Sequence, residues 1–442
     1  MPKKIRDLIF YLFIIIFIIA STATCLYASG YKFNLSWPLE FNRLLQKTGN
    51  LNISTSPKGA AIFLNDKKQV VPGFKLIKKD YLSTPAKIRN LMPGDYYLRI
   101  EKENYWPLEK KINIASGLTT FAEDLNLFRS DLPIIISPSS ESSIYLNNDN
   151  SSLYLKQAKS WIDLNHYEVN LLKGDKNGAW INNWEIFSAG QIININTKNT
   201  LDLNSLLTTK NVLNWKYDKD NNSIYAHLES GEILKIDENL NSSSEIFTLP
   251  NIQDFKQDQK ILFTIEKEGE KQYLKEYDLE TKKEIKRMEL PSVGRYLFFA
   301  NYKNDYISLY DQENGSLYII YKNDWQKSFI LTQVKDWSFI NKNHLIYHNG
   351  WEIIFFNLEN NSSNLISRVS DPIKKIIWHE KEDYFIFSTQ NSIQAGDLKT
   401  NIFTTLFKTE NIGDLALDTK NNILYFYAQI GQQAGIYKLL LK

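Results

Sequence analysis

Six aromatic or apolar residues, Trp215, Phe255, Phe298, Trp337, Trp378 and Leu415, open six similar stretches at intervals of 40, 43, 39, 41 and 37 residues. In each copy a polar turn leads to a short apolar run, then a Gly-, Asn- or Ser-containing turn, then a second apolar run. Ile224-Tyr225 thus precedes Ser230-Gly231 and Ile233-Leu234-Lys235-Ile236, and Leu345-Ile346-Tyr347 precedes Asn349-Gly350 and Glu352–Leu358. A period near 40 with about four short strands per copy predicts the blades of a β-propeller, because one such sheet cannot bury its faces alone and must stack against copies of itself. Trp180-Ile181 and Trp184–Phe187 suit an earlier copy opening near residue 175. The last copy stops at Lys442 before it can supply a fourth strand. Residues 132–172 are therefore expected to complete a ring, since closure removes the edges that invite aggregation. Residues 131–442 are expected to form six to eight blades, with seven favoured.

The repeats resemble WD40-like and YVTN-type propellers in period. The Trp-Asp ending of WD40 blades is absent, although Tyr277-Asp278-Leu279 and Gly396-Asp397-Leu398 echo it.

Residues 8–28, LIFYLFIIIFIIASTATCLYA, carry no charge over 21 positions, enough to cross about 30 Å of hydrocarbon as a helix. Lys3, Lys4 and Arg6 precede this run, so residues 1–7 are expected in the cytoplasm and everything after residue 28 outside. A cleaved signal peptide is the rival reading, but the apolar run exceeds the usual signal core. An uncleaved single-pass anchor in the plasma membrane is favoured, and both readings export the body. Residues 29–49 show no sustained period and read as a linker.

From residue 50 onward the pattern is strand-like, so the exported part is all-β. Residues 50–129 are punctuated by Pro57-Lys58-Gly59-Ala60, Thr84-Pro85, Leu91-Met92-Pro93-Gly94 with Tyr96, and Asn104-Tyr105. In this order the motifs resemble the PEGA domain, named for its Pro-Glu-Gly-Ala turn. Lys58 stands where that family has Glu, and Asn104 where it has Gly. Asn is the non-Gly residue best suited to left-handed backbone, so the second departure is tolerable. The resemblance implies a small β-sandwich of surface-exposed prokaryotic proteins, with Pro57, Gly59, Ala60, Thr84, Pro85, Pro93, Gly94, Tyr96 and Tyr105 as structural residues and no catalytic ones.

Composition excludes some functions. The net charge of +2 is accounted for by Lys3, Lys4, Arg6 and Asp7, leaving a neutral body without the basic excess of a nucleic-acid binder. The single cysteine, Cys25, lies in the apolar segment, so no disulfide or cysteine metal site is expected in the body. Asn is abundant and Arg scarce, which reads as compositional bias and lowers the weight of Asn-rich motifs.

Candidate chemistry is sparse. Asp218, Asp220, Asn222 and Glu229 match spaced positions of a calcium loop, but Ser223 replaces the required Gly and no helices flank it, so a polar turn is the simpler reading. His344 and His348 are four residues apart, about 13 Å along a strand, too far to share a metal. Scattered carboxylates such as Glu266, Glu268, Glu270, Glu380, Glu382 and Asp383 single out no catalytic pair. No cofactor or metal site is expected. Five tryptophans outside the blade-opening positions or near turns, Trp106, Trp180, Trp184, Trp325 and Trp351, are candidates for a binding surface. The expected function is a non-catalytic, membrane-anchored platform for a protein or cell-wall glycan. The alternatives are an exported glycosidase or lyase with an axial site, and an envelope-assembly scaffold.

Overall fold

The computed structural model describes residues 3–33, 45–71, 81–139, 144–146, 152–155, 160–163, 168–171, 179–180, 185–188, 190–194, 199–218, 221–237, 239–240, 242–299 and 305–442. One α-helix, Lys3–Ala28, contains the apolar segment and is long and apolar enough to cross a membrane. Its composition and position also suit a signal sequence. A two-stranded antiparallel ribbon, Tyr31–Phe33 with Leu45–Lys47, follows within the segment read as a linker. The chain divides into two compact units, one built mainly on residues 1–131 and the other mainly on residues 132–441.

The first unit is a sandwich. Gly49–Ser56 lies between Ala86–Leu91, antiparallel, and Thr119–Asn126, parallel. The facing sheet runs Lys67–Lys68, Ala61–Leu64, Gly94–Glu101, Leu108–Ile114. Strand Gly49–Ser56 alternates between buried and less buried residues, as a strand covered on one face must. Its inward Leu51 and Ile53 meet Ile62, Leu64, Leu98, Ile100 and Ile112 in one core.

The Pro-Lys-Gly-Ala turn is tied to Thr84. Gly59 N–H donates to the Thr84 carbonyl (2.8 Å), and Thr84 N–H donates to the Ala60 carbonyl (2.9 Å). The buried Thr84 hydroxyl accepts from Ala60 N–H (3.0 Å) and meets the Thr55 hydroxyl at 2.6 Å. Gly59 takes φ +85°, which explains a glycine there. Lys58 is exposed, so its replacement of Glu costs the core nothing. Asn104 takes φ +64°, the left-handed conformation expected for it.

The second unit is a propeller. Between Ile134 and Leu440 the described residues form eight four-stranded antiparallel sheets, here blades 1 to 8. The strands of blades 3 to 7 open at Val212, Ile252, Tyr296, Asp336 and Ile373. Eight is the top of the expected range, one above the favoured seven. The difference lies in residues 132–172, which perform two tasks. Ile134–Pro138 becomes the fourth strand of blade 8 by pairing with Gln433–Leu440, while Ile144–Leu171 supplies all four strands of blade 1. Ile144 and Leu153 of blade 1 then pack with Ala416, Tyr425 and Ile436 of blade 8, closing the ring.

Second strands are mostly buried, and Ser223–Leu228 and Tyr384–Thr389 are buried along their whole length, because both faces meet neighbouring sheets. Fourth strands are more open, as in Glu284–Glu289. First strands of neighbouring blades contact one another, which places them around the axis.

The turns between second and third strands carry Gly231, Gly269, Gly315, Gly350 and Gly431, all at positive φ. Three of these glycine carbonyls accept a backbone N–H from the link to the next blade or from the start of its first strand: Gly231 from Leu249 (3.0 Å), Gly315 from Val334 (2.7 Å) and Gly350 from Ile373 (2.7 Å). These turns and links therefore share one face of the propeller. Among described non-glycine residues at positive φ, nine of fifteen are Asn, so the Asn that composition alone marks as bias has a conformational use.

Candidate functional site

The first strands carry charged and hydroxyl side chains toward the neighbouring blade. The Lys216 ammonium, on blade 3, meets the Asp254 carboxylate of blade 4 at 2.5 Å and also the Phe255 carbonyl. Asp254 accepts from Phe298 N–H of blade 5 (2.7 Å). Asp336 of blade 6 accepts from Ile376 N–H of blade 7 (2.9 Å), and the Ser338 hydroxyl oxygen accepts from Trp378 N–H (3.2 Å). These side chains stitch blades together. Asp254 and Asp336 each accept a backbone N–H of the next blade.

On the glycine-turn face, between blades 7 and 8, lies a cavity of about 440 Å³ lined by Lys374, Lys375, Asn411, Ile412, Gly413, Asp414 and Tyr427. Each lining group has a local reason for its position. Lys374 and Lys375 are the second and third residues of strand Ile373–Trp378. Asn411 takes φ 55° in the link to blade 8, and Gly413 N–H fixes that link to the Tyr427 carbonyl (2.9 Å). The Lys374 ammonium donates to the Ile412 carbonyl (2.9 Å). The Lys375 ammonium stands 3.8 Å from Asp336, a loose ion pair. Burial raises the Asp336 carboxyl above its ordinary range, against the lowering influence of Lys375 and the Ile376 N–H.

His348 lies fully buried at the end of strand His344–His348. Its Nδ1 accepts from Gly350 N–H (3.2 Å), which assigns the ring proton to Nε2. That Nε2 has no hydrogen-bond partner among the described residues. Burial first, then Lys375 and Lys335, hold the imidazole down to about 4, so it is neutral at physiological pH.

The tryptophans named from sequence do not form one site. Trp351 is 53% exposed at the blade 6 turn, on the same face as the cavity, and Trp106 is 39% exposed in the sandwich unit. Trp325 is a correction: it is only 5% exposed, packed near Phe263 with Lys286 over its ring, because the turn carrying it folds onto the blade core. Trp180 lies on the two-residue strand Ala179–Trp180, and Trp184 lies outside the described residues.

The motif residues have structural surroundings. Thr84 is buried, Tyr105 packs on the sandwich core, and Tyr96 packs there with its hydroxyl donating to the Met92 carbonyl (2.9 Å). Gly94 takes φ +144° after Pro93, and the Thr84-Pro85 and Ser56-Pro57 bonds are cis.

Of the calcium-like residues, Asp220 lies outside the described residues. Asp218 is buried and accepts from the Asn221 amide (3.0 Å). The same Asp–Asn clamp recurs at Asp311–Asn314 (2.6 Å) and Asp418–Asn421 (2.7 Å), which identifies it as turn architecture. His344 stacks on Phe355 at the opposite end of the strand from His348.

Sequence reasoning missed the cavity residues. The one available signal was the Lys374-Lys375 pair interrupting an otherwise apolar first strand, Ile373…Ile376-Ile377.

Residues 48–127 match the PEGA domain family. No curated protein matches the chain. Similar solved structures include the Dos1 propeller, at 10% identity over 71% of this chain and 96% of that one, with a TM-score of 0.47. Kluyveromyces lactis Hsv2 is 14% identical over 49% of this chain and 70% of that one, with a TM-score of 0.36. The dihydro-heme d1 dehydrogenase NirN, in complex with DHE, is 9% identical over 61% of this chain and 66% of that one, with a TM-score of 0.45.

Proposed function

We infer that the chain is a non-catalytic, membrane-anchored platform whose propeller binds a protein or cell-wall glycan outside the plasma membrane. The carrying observation is the stitching of the axial strands: Asp254 and Asp336 are committed to backbone N–H groups of the next blade. A catalytic acid or base has to exchange protons with a substrate, and these carboxylates serve blade-to-blade register instead. A closed ring suits a platform because its turns gather on two faces while the sheets beneath stay fixed. The charge-free run of 21 residues, longer than a usual signal core, favours an uncleaved anchor, and the basic residues before it favour a cytoplasmic N-terminus.

The experiment joins topology to binding. Intact cells are treated with an external protease, and the surviving fragments are mapped. Loss of the propeller with survival of residues 1–28 in the membrane fraction is the expected result. Recovery of the body free of the membrane overturns the anchor. Cross-linking in intact cells, followed by purification with the helix intact, then reads whether the propeller holds an envelope component. Turnover of glycan substrates that Asp254→Asn and Asp336→Asn abolish without unfolding overturns the non-catalytic reading.

A further inference from the structure

The two-stranded ribbon that follows the helix is amphipathic, and its apolar side is the open one. Tyr31 pairs with Lys47, Lys32 with Gln46 and Phe33 with Leu45. Strand alternation puts Tyr31, Phe33, Leu45 and Lys47 on one side and Lys32 and Gln46 on the other. Phe33 is 59% exposed and Leu45 40%, whereas Lys32 and Gln46 are partly covered. A ribbon standing in water would turn its polar side outward. Leu118, 63% exposed, adds to the open apolar surface at the adjoining turn.

Hydrogen bonds hold this surface at the end of the helix. The Gly30 carbonyl, just past Ala28, accepts from both the N–H (2.7 Å) and the hydroxyl (2.7 Å) of Thr48. The Thr48 carbonyl in turn accepts from Gly117 N–H (3.1 Å), and the Lys47 carbonyl from the Ser116 hydroxyl (2.9 Å). The Leu118 carbonyl accepts from Asn50 N–H (2.9 Å), at the start of the central sandwich strand. The helix end is thus tied directly to the sandwich. A helix whose 21 uncharged residues cross the hydrocarbon ends at the headgroup layer, and the ribbon and turn are confined there with it.

Resting on the anchor reading above, we propose that Phe33, Leu45 and Leu118 seat the sandwich in the headgroup layer of the membrane that its own helix crosses. The partner of this surface is the lipid bilayer. Apolar side chains set beside a Tyr and a Lys make up the composition of interfacial segments. Lys47 lies along the turn, where a Cβ added to Gly117 would meet its Cδ at 3.2 Å. Its stem covers the turn while its ammonium is offered to lipid phosphate. Trp106, 39% exposed, marks the opposite end of the sandwich. Its N–H donates to the Phe128 carbonyl (2.8 Å), next to Leu127, whose N–H donates to the Ser56 carbonyl (2.9 Å). Strand Gly49–Ser56 separates the two ends by about 23 Å, beyond the reach of the headgroup layer.

The test uses the full chain with Cys25→Ser, reconstituted in vesicles of phosphatidylcholine and phosphatidylglycerol. Leu118→Cys and, separately, Trp106→Cys then carry a polarity-sensitive fluorophore. Nitroxide-bearing lipid is expected to quench the label at residue 118 and to spare the one at residue 106. Iodide in the water is expected to quench the label at residue 118 about threefold less than the one at residue 106, since an interfacial group lies roughly 5–10 Å deep. Phe33→Cys gives a second site with the same expectation, and thermal melting of each variant guards against unfolding. Equal iodide quenching at residues 118 and 106 overturns the inference. Shielding of residue 118 from both quenchers overturns it in favour of a protein contact, a second copy of the chain being read by cross-linking. Alkaline washing of cell membranes separates the two readings. Retained wild-type protein with a water-exposed residue 118 leaves the anchor standing and the membrane seat refuted, whereas release of the protein refutes both.

Discussion

Acidification from pH 7 to pH 5 should weaken the propeller through His348. In the unfolded chain this imidazole takes up a proton near its ordinary 6.5. In the folded protein burial and the nearby lysines delay uptake to about 4. The unfolded state therefore binds more protons throughout this window, and stability falls as pH falls. Between pH 7 and pH 5 the loss works out at about 2 kcal/mol for this one group. His227, also lowered by burial, acts in the same direction, whereas Asp336, raised by burial, acts in the opposite one. The comparison that isolates His348 is with His348→Asn, whose amide oxygen can accept the Gly350 N–H in place of Nδ1. Urea titration of the full-length protein in detergent, followed by tryptophan fluorescence at both pH values, gives the two losses. The variant is expected to lose about 2 kcal/mol less than the wild type on acidification. Identical losses in the two proteins would refute the assignment of a neutral, proton-resisting His348.

Three further expectations rest on packing. At Gly435 an added Cβ would lie 2.6 Å from the Ser137 carbonyl across the strand pair that closes the ring. Gly435→Ala should cost about 1–3 kcal/mol and expose residues 134–138 to limited proteolysis, whereas an unchanged cleavage pattern would show that the closure tolerates the contact. In blade 4, buried Lys275 bonds to buried Glu266 at 2.8 Å, and Glu266 also accepts from Thr264 (2.6 Å) and Tyr277 (2.9 Å). Lys275→Met should cost about 3–5 kcal/mol by urea titration, and adding Glu266→Gln should recover part of it; a double variant no better than the single would count against the buried pair. Trp325→Ala should destabilise by about 3–5 kcal/mol, while exposed Trp351→Ala should change stability by less than about 0.5 kcal/mol, and thermal melts with the reverse order would contradict the burial of Trp325.

Much of the fold was legible in the chain because its signals are local. The 40-residue spacing marks each first strand, since every blade needs a bulky inward residue at a similar point in its repeat. The Pro57–Ala60 turn and Thr84-Pro85 mark the sandwich, since left-handed backbone at Gly59 restricts the residue type there. The cavity was far less legible. Lys374 and Asn411 are 37 positions apart, and nothing in either local segment says that a link will fold back beside its predecessor's first strand. Trp325 misled for the same reason: it sits at a turn by sequence, yet its ring is buried by neighbours distant in the chain.

The amino-acid sequence by itself determined an apolar N-terminal helix, an all-β body, a PEGA-type sandwich and a repeating propeller, because periodicity, turn residues and charge-free length act over a few residues at a time. Tertiary structure alone decided that residues 134–138 close blade 8 while residues 144–171 form a blade of their own. It also decided that axial carboxylates serve as stitches and that two lysines and a returning link enclose a cavity. These outcomes depend on which strand edges and side chains meet when the ring closes, and closure brings together residues that the linear order keeps apart.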